Sequence, residues 1–179
     1  MRWFSAATAI VVLALTAACA GNTPPPACPG GGKLRDAATI TVFRDGPGRD
    51  ITDIEYRAAI FDVRGGCEYF LDENRMTMSF QAIFDIEPGP TAEAAQIRIP
   101  YFVAIVKKGN VLIEKPGFKE TFEAVATLPE RRTAFRYQDA PIEIDLPIGE
   151  DINPREIEIL FGFQLTEEQL NYNRAQFRR

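Results

Sequence analysis

Apolar and polar positions alternate along most of this chain beyond residue 50. The cleanest run is Met76 to Glu87, MTMSFQAIFDIE. Positions 76, 78, 80, 82, 84 and 86 are apolar, and Ile83 alone breaks the polar set between them. A period of two sends successive side chains to opposite faces, so this run predicts an antiparallel strand with one buried face. Ile54, Tyr56, Ala58 and Ile60 form a second apolar row, with Asp53, Glu55 and Arg57 opposite. After Ile60 the parity moves to Phe61 and Val63, which predicts a bulge or burial on both faces. Arg64-Gly65-Gly66 then predicts a tight turn, since glycine reaches the positive φ angles that such turns use.

Ile97, Ile99, Tyr101, Val103 and Ile105 alternate next, Lys107-Lys108-Gly109-Asn110 turns the chain, and Val111-Leu112-Ile113 returns. That is a hairpin signature. Pro100 has no amide hydrogen and predicts an edge or a bulge at its position. Phe118–Val125, Thr133–Tyr137, Pro141–Leu146 and Ile157–Leu165 predict further strands. Seven or eight short strands separated by Gly and Pro predict an all-β domain over residues 34–179, an antiparallel β-sandwich of immunoglobulin-like type. A closed barrel stays open, because pattern alone does not set strand order. The tail departs from this rhythm. Leu165-Thr166-Glu167-Glu168-Gln169-Leu170 reads as a capping box from Thr166 to Gln169, with Leu165 and Leu170 spaced for a hydrophobic staple. Acids at its start and Arg174, Arg178 and Arg179 at its far end suit a helix dipole, so a short helix is expected over 167–175.

The first 33 residues follow different rules. Met1-Arg2 is a short positive start and Ala6 to Leu15 an apolar stretch of secretory-signal length, too short to span a bilayer. Thr16-Ala17-Ala18-Cys19 resembles the lipobox of bacterial lipoproteins, although Thr16 stands where that family prefers Leu. The resemblance implies a signal peptide over 1–18 and a palmitate-type acyl anchor on Cys19. The alternative is an ordinary cleaved signal after Ala18 or Ala20, with Cys19 incidental. Ala20 is not Asp, which in Gram-negative lipoproteins implies an outer-membrane protein facing the periplasm. Three prolines at 24–26 and Gly30-Gly31-Gly32 predict a tether over 19–33, semi-rigid and then flexible.

Cysteine number then changes the picture. The chain has three. With Cys19 lipidated in an oxidising compartment, Cys28 and Cys67 are left to form a disulfide. It would close a loop of about 40 residues, worth roughly 4 kcal/mol in the chain-entropy model.

Composition excludes more than it suggests. There are 20 basic and 25 acidic residues and no His, a formal net charge of −5. Loss of Arg2 with the signal makes the mature chain more acidic still, which argues against nucleic acid as a partner. Without His, and with Ser79 the one serine beyond the signal, Ser-His-Asp and Cys-His nucleophilic sites are excluded. No phosphate-binding glycine loop occurs. No catalytic, cofactor-binding or metal residue is therefore assigned, and no cofactor is expected. Asp72-Glu73-Asn74 and Glu150-Asp151 are weighed as Ca²⁺ loops and read as plain acidic turns. Asp139 to Glu158 carries seven acids and one Arg, a charged face or a surface for a basic partner.

Taken with the YFVAIVKKGNVLIEK hairpin and the GFQLTEEQLNYNR tail, the lipobox-like start and the cysteine pair resemble uncharacterised lipoproteins of proteobacteria. That resemblance implies a location and no known activity. The expected function is a non-enzymatic, lipid-anchored envelope protein that binds another envelope protein or assists assembly, sandwich edges being able to accept an added strand. The alternative is a small-ligand-binding sandwich, with Phe61, Tyr69, Phe70, Tyr101 and Phe102 as candidate lining residues.

Overall fold

A computed structural model of the chain describes residues 26–109, 111–113, 118–149 and 152–177. The expected signal segment, the lipidation candidate Cys19, Glu150-Asp151 and the last two arginines lie outside the described residues.

Among the described residues ten strands form two sheets of five. One sheet runs β1 (Gly30–Lys33), β10 (Ile157–Phe163), β5 (Gln96–Lys107), with β6 (Val111–Leu112) and β7 (Lys119–Thr127) both paired to β5. The other runs β2 (Thr39–Phe43), β3 (Ile54–Phe70), β4 (Arg75–Pro88), with β8 (Phe135–Gln138) and β9 (Ile142–Pro147) both paired to β4. Every pairing is antiparallel except β1 on β10. The predicted all-β sandwich is what forms, with two more strands than the pattern shows.

The inward rows meet in one core. Met76, Met78, Phe80, Phe84 and Ile86 of β4 share it with Ile99, Tyr101, Val103 and Ile105 of β5 and Ile159, Phe161 and Phe163 of β10. Phe80 meets Phe161 edge to face at 5.2 Å, and Phe84 meets Tyr101 at 5.4 Å. Each such side chain contributes about 1.5–3 kcal/mol by leaving water, which is why the two-residue period sets the fold.

Pro100 sits on the central strand β5, yet at a local edge. Its carbonyl accepts from the Gln164 amide, one residue past the end of β10, so its missing N–H falls where the β10 ladder stops. The bulge predicted after Ile60 is present: the β3–β4 register skips Phe61, between Ile60 opposite Phe84 and Asp62 opposite Ile83.

Two expectations are corrected. No turn forms at Gly65-Gly66, because β3 runs on to Phe70 and neither glycine has a positive φ. Gly65 serves close approach instead: a Cβ there would collide with the Ser79 carbonyl oxygen and lie 2.9 Å from Phe80 Cδ1. Gly30–Lys33, expected to belong to a tether over 19–33, is instead the strand β1. A Cβ at Gly31 would reach 3.7 Å from the Phe161 ring. Glycines leave no side chains to alternate, so this strand has no hydrophobic signature.

The helix α1 spans Glu167–Phe177, two residues beyond the expected end. Its capping box is present: Gln169 N donates to Thr166 Oγ1 at 3.2 Å, and Thr166 N to Gln169 Oε1 at 2.9 Å. Polar anchors hold it beside β2. Buried Asn173 donates to the carbonyls of Asp36 (3.0 Å) and Thr39 (2.8 Å), and Arg174 pairs with Asp36 at 3.0 Å. Tyr172 packs edge to face on Phe43 at 5.4 Å.

Candidate functional site

A groove lies on the outer face of the second sheet. A strand's outward row is set by the same period that builds the core, so Thr39 and Thr41 of β2, Arg57 and Ala59 of β3, and Asp85 and Glu87 of β4 line one surface. Register aligns them in ranks: Thr39, Ala59, Asp85 and Arg136 lie across the sheet, with Thr41, Arg57 and Glu87 beside them. Tyr172, Asn173 and Gln176 of α1 raise a wall at the β2 side, while Ala134, Phe135 and Arg136 close the β8 side. The groove encloses about 900 Å³, at the upper end of small-ligand sites.

Its electrostatics are uneven. Arg136 grips Asp85 through two bonds, Nε–Oδ1 at 2.7 Å and Nη2–Oδ2 at 3.1 Å, and its guanidinium lies 3.2 Å from the Phe61 ring centre. Asp85 holds Arg136 still more firmly in its charged form, chiefly through that hydrogen bond. Arg57 is different. Half-buried and directly across from Glu87, it has no carboxylate within 4 Å and no hydrogen-bond partner among the described residues. Most other arginines of the described residues are engaged, for instance Arg44 with Asp53, Arg75 with Glu73 and Asp145, and Arg98 with Glu123. Among the described residues neither Thr41, only 8 % exposed, nor exposed Thr39 has a hydrogen-bond partner for its hydroxyl, and no buried side-chain atom is orphaned, so the Thr41 hydroxyl reaches the surface; both residues line the groove.

The aromatic residues expected to line a pocket are not brought together. Tyr101 is core, its hydroxyl donating to Asp139 Oδ2 at 2.8 Å. Burial first, and that carboxylate second, push its phenol pKa up. Phe61 is 43 % exposed beneath Arg136. Phe70 lies under Arg75 at 4.1 Å and Phe102 near Lys119 at 5.6 Å, while the Tyr69 hydroxyl donates to the Ala27 carbonyl at 3.2 Å. The acid-rich segment is partly spent inside the fold. Asp139 takes Tyr101, and Asp145 takes Thr77 (2.6 Å) and Arg75 (3.1 Å). Among the described residues no group of three or more His, Cys, Asp or Glu is placed to hold a metal. Glu73 of the weighed Ca²⁺ loop is engaged by Arg75.

Cys28 and Cys67 sit at disulfide geometry, with an S–S distance of 2.05 Å and Cα atoms 5.6 Å apart. Beside them a slot of about 280 Å³ opens between β1 and the outer half of β3, floored by Met78, Phe80, Ile159 and Phe161. Lys33 crosses its other end, donating to the carbonyls of Ile60 and Phe61, both at 3.1 Å.

The groove residues were not singled out from sequence. Arg57 shows there only as one of an outward polar row, and alternation cannot say which outward charge lacks a partner. Compared with known proteins, the chain matches no family model, no curated protein and no solved structure.

Proposed function

We propose that this chain is a non-enzymatic envelope protein, tethered through lipid on Cys19 at the periplasmic face of an outer membrane, that holds a protein partner along a strand edge. The observation that carries the reading is the free side of β7. Nine residues, KETFEAVAT, pair with β5 without a break in register, and no strand of the described residues covers their other side. Ile105 N donates to the Phe118 carbonyl, so parity turns the N–H and C=O of Lys119, Thr121, Glu123, Val125 and Thr127 away from β5. The segment contains neither Pro nor Gly. About 30 Å of unpaired backbone is a template for an added strand.

The test is crosslinking and purification from membranes, comparing the parent chain with Thr121→Pro. Proline removes an outward N–H and leaves the β5 ladder intact. A stoichiometric partner lost from a folded variant supports the reading. A partner retained by Thr121→Pro, or none at all, refutes it. Mass spectrometry of Cys19 tests the anchor separately, and an unacylated Cys19 removes the lipid from the reading.

A second reading, a small-ligand module, is favoured by one observation, the groove beside Arg57.

A further inference from the structure

We infer that the groove on the outer face of the second sheet binds the free C-terminal carboxylate of a short extended peptide, with Arg57 as its anchor. This rests on the ligand-binding reading and is independent of the β7 edge. A half-buried guanidinium without a counter-ion is unusual for this molecule, where arginines at comparable strand positions, Arg75, Arg98 and Arg136, each hold a carboxylate. Guanidinium is a planar fork matched to a carboxylate's two oxygens, and such bidentate pairs are among the stronger and more directional hydrogen bonds.

The surroundings specify what else the ligand carries. Thr39 and Thr41 present unengaged hydroxyls on the neighbouring strand, one rank apart. They can donate to the carboxylate or to a peptide carbonyl. Glu87, opposite Arg57 and without a partner among the described residues, accepts from a donor beside the bound carboxylate. A peptide N–H supplies such a donor, whereas a second anionic group would be repelled. Ala59 and the Tyr172 side chain supply apolar surface. Size favours a peptide over a lone small acid. The groove crosses four strands, about 14 Å at the usual spacing, which matches three to four extended residues. No bond is made or broken in this proposal. The site holds and releases.

The probe is tri-alanine carrying an amino-terminal fluorophore, followed by fluorescence anisotropy with the full chain in detergent. Saturable binding is expected, weakened about tenfold or more when the peptide's C-terminus is amidated, the loss expected for one charge-assisted pair. Arg57→Gln should weaken the free acid to a similar extent and leave the weak binding of the amide unchanged. Arg131→Gln, at an exposed arginine outside the groove, should change neither. Equal binding of acid and amide overturns the proposal, as does an unaltered affinity in Arg57→Gln or an absence of saturable binding. Propionate displacing the probe as well as unlabelled tri-alanine does at equal concentration overturns the peptide assignment. If Arg57→Gln fails to fold, the acid-against-amide comparison on the parent chain decides alone. None of these outcomes depends on Thr121, so failure here leaves the strand-edge reading standing, and the converse holds.

Discussion

The two long sides of this sandwich treat their edges in opposite ways. On one side the outer half of β3, beyond the reach of β2, is closed off by several devices. The Phe61 bulge breaks its register, Lys33 caps the carbonyls of Ile60 and Phe61, and Cys67 is joined to Cys28. Bulges and lysines are common ways to keep an edge from pairing with a stray strand. On the other side β7 runs nine residues in unbroken register, with its outward backbone groups left to water. Its protection is limited to surface charge, Lys119, Glu120 and Glu123. A chain that spends a disulfide, a bulge and a lysine on one edge shows what a guarded edge requires. β7 is therefore exposed by construction rather than by a general lack of such devices.

The largest expected effect lies on the guarded side. Cys67→Ser should lower unfolding free energy by about 2–4 kcal/mol, mainly by freeing the unfolded chain, while the far-UV circular dichroism of the folded state is unchanged. Urea titration measures the loss. Thiol counting on the unfolded, unreduced chain checks the premise, since free thiols on both Cys28 and Cys67 would remove the covalent pin from the comparison.

Next comes the glycine pair. Gly65→Ala sets a methyl against the Ser79 carbonyl and Phe80, whereas at Gly66 nothing lies within 4 Å of the added Cβ. Overpacking of this kind costs about 1–3 kcal/mol. Gly66→Ala should be neutral or slightly stabilising, because it restricts the unfolded chain without a native clash. Two midpoints of thermal unfolding settle it, and equal values for the two variants would contradict the strand geometry drawn for β3.

Lys33→Met sharpens the same side at smaller scale. It removes two donors from the carbonyls of Ile60 and Phe61, one of them at an exposed site where water substitutes. About 1 kcal/mol or less is expected. Hydrogen exchange should report it locally, with faster exchange in β1 and at the bulge and none of the change in β7.

Sequence patterning reached those parts of the fold whose side chains alternate. The Met76–Glu87 row and the Ile97–Ile105 row became β4 and β5 because burial of one face outweighs every local preference there. Thr166 and Gln169 fixed the start of α1 through two reciprocal bonds that are entirely local. What escaped has equally physical causes. β1 consists of three glycines and a lysine, so it has no period to read. Gly65-Gly66 reads as a turn through glycine's backbone freedom, but the chain stays in β3 and Gly65 serves through its missing Cβ instead. The Arg57 groove escaped most completely. Its outward residues look like any solvated row, and only the cross-strand register and the ion pairs of Arg75, Arg98 and Arg136 set Arg57 apart as a half-buried guanidinium with no carboxylate partner among the described residues.

The smallest effect on stability falls on the open side, and it is the one that tests the comparison most directly. Thr121 pairs across from Phe102 at a position whose N–H points away from β5. Proline there removes no ladder hydrogen bond, so the loss on Thr121→Pro should be about 1 kcal/mol or less, from the tighter φ alone. Proline at Phe122 is the control. That residue turns its N–H toward β5 and its ring stacks on Tyr101 at 5.5 Å, so about 3 kcal/mol or more should be lost. Chemical denaturation of the two variants reads the difference. A neutral Thr121→Pro means that the outer side of β7 forms no bond the fold needs, which leaves its donors and acceptors for another chain. A costly Thr121→Pro means that this edge is already occupied from within, and the contrast between the two sides disappears.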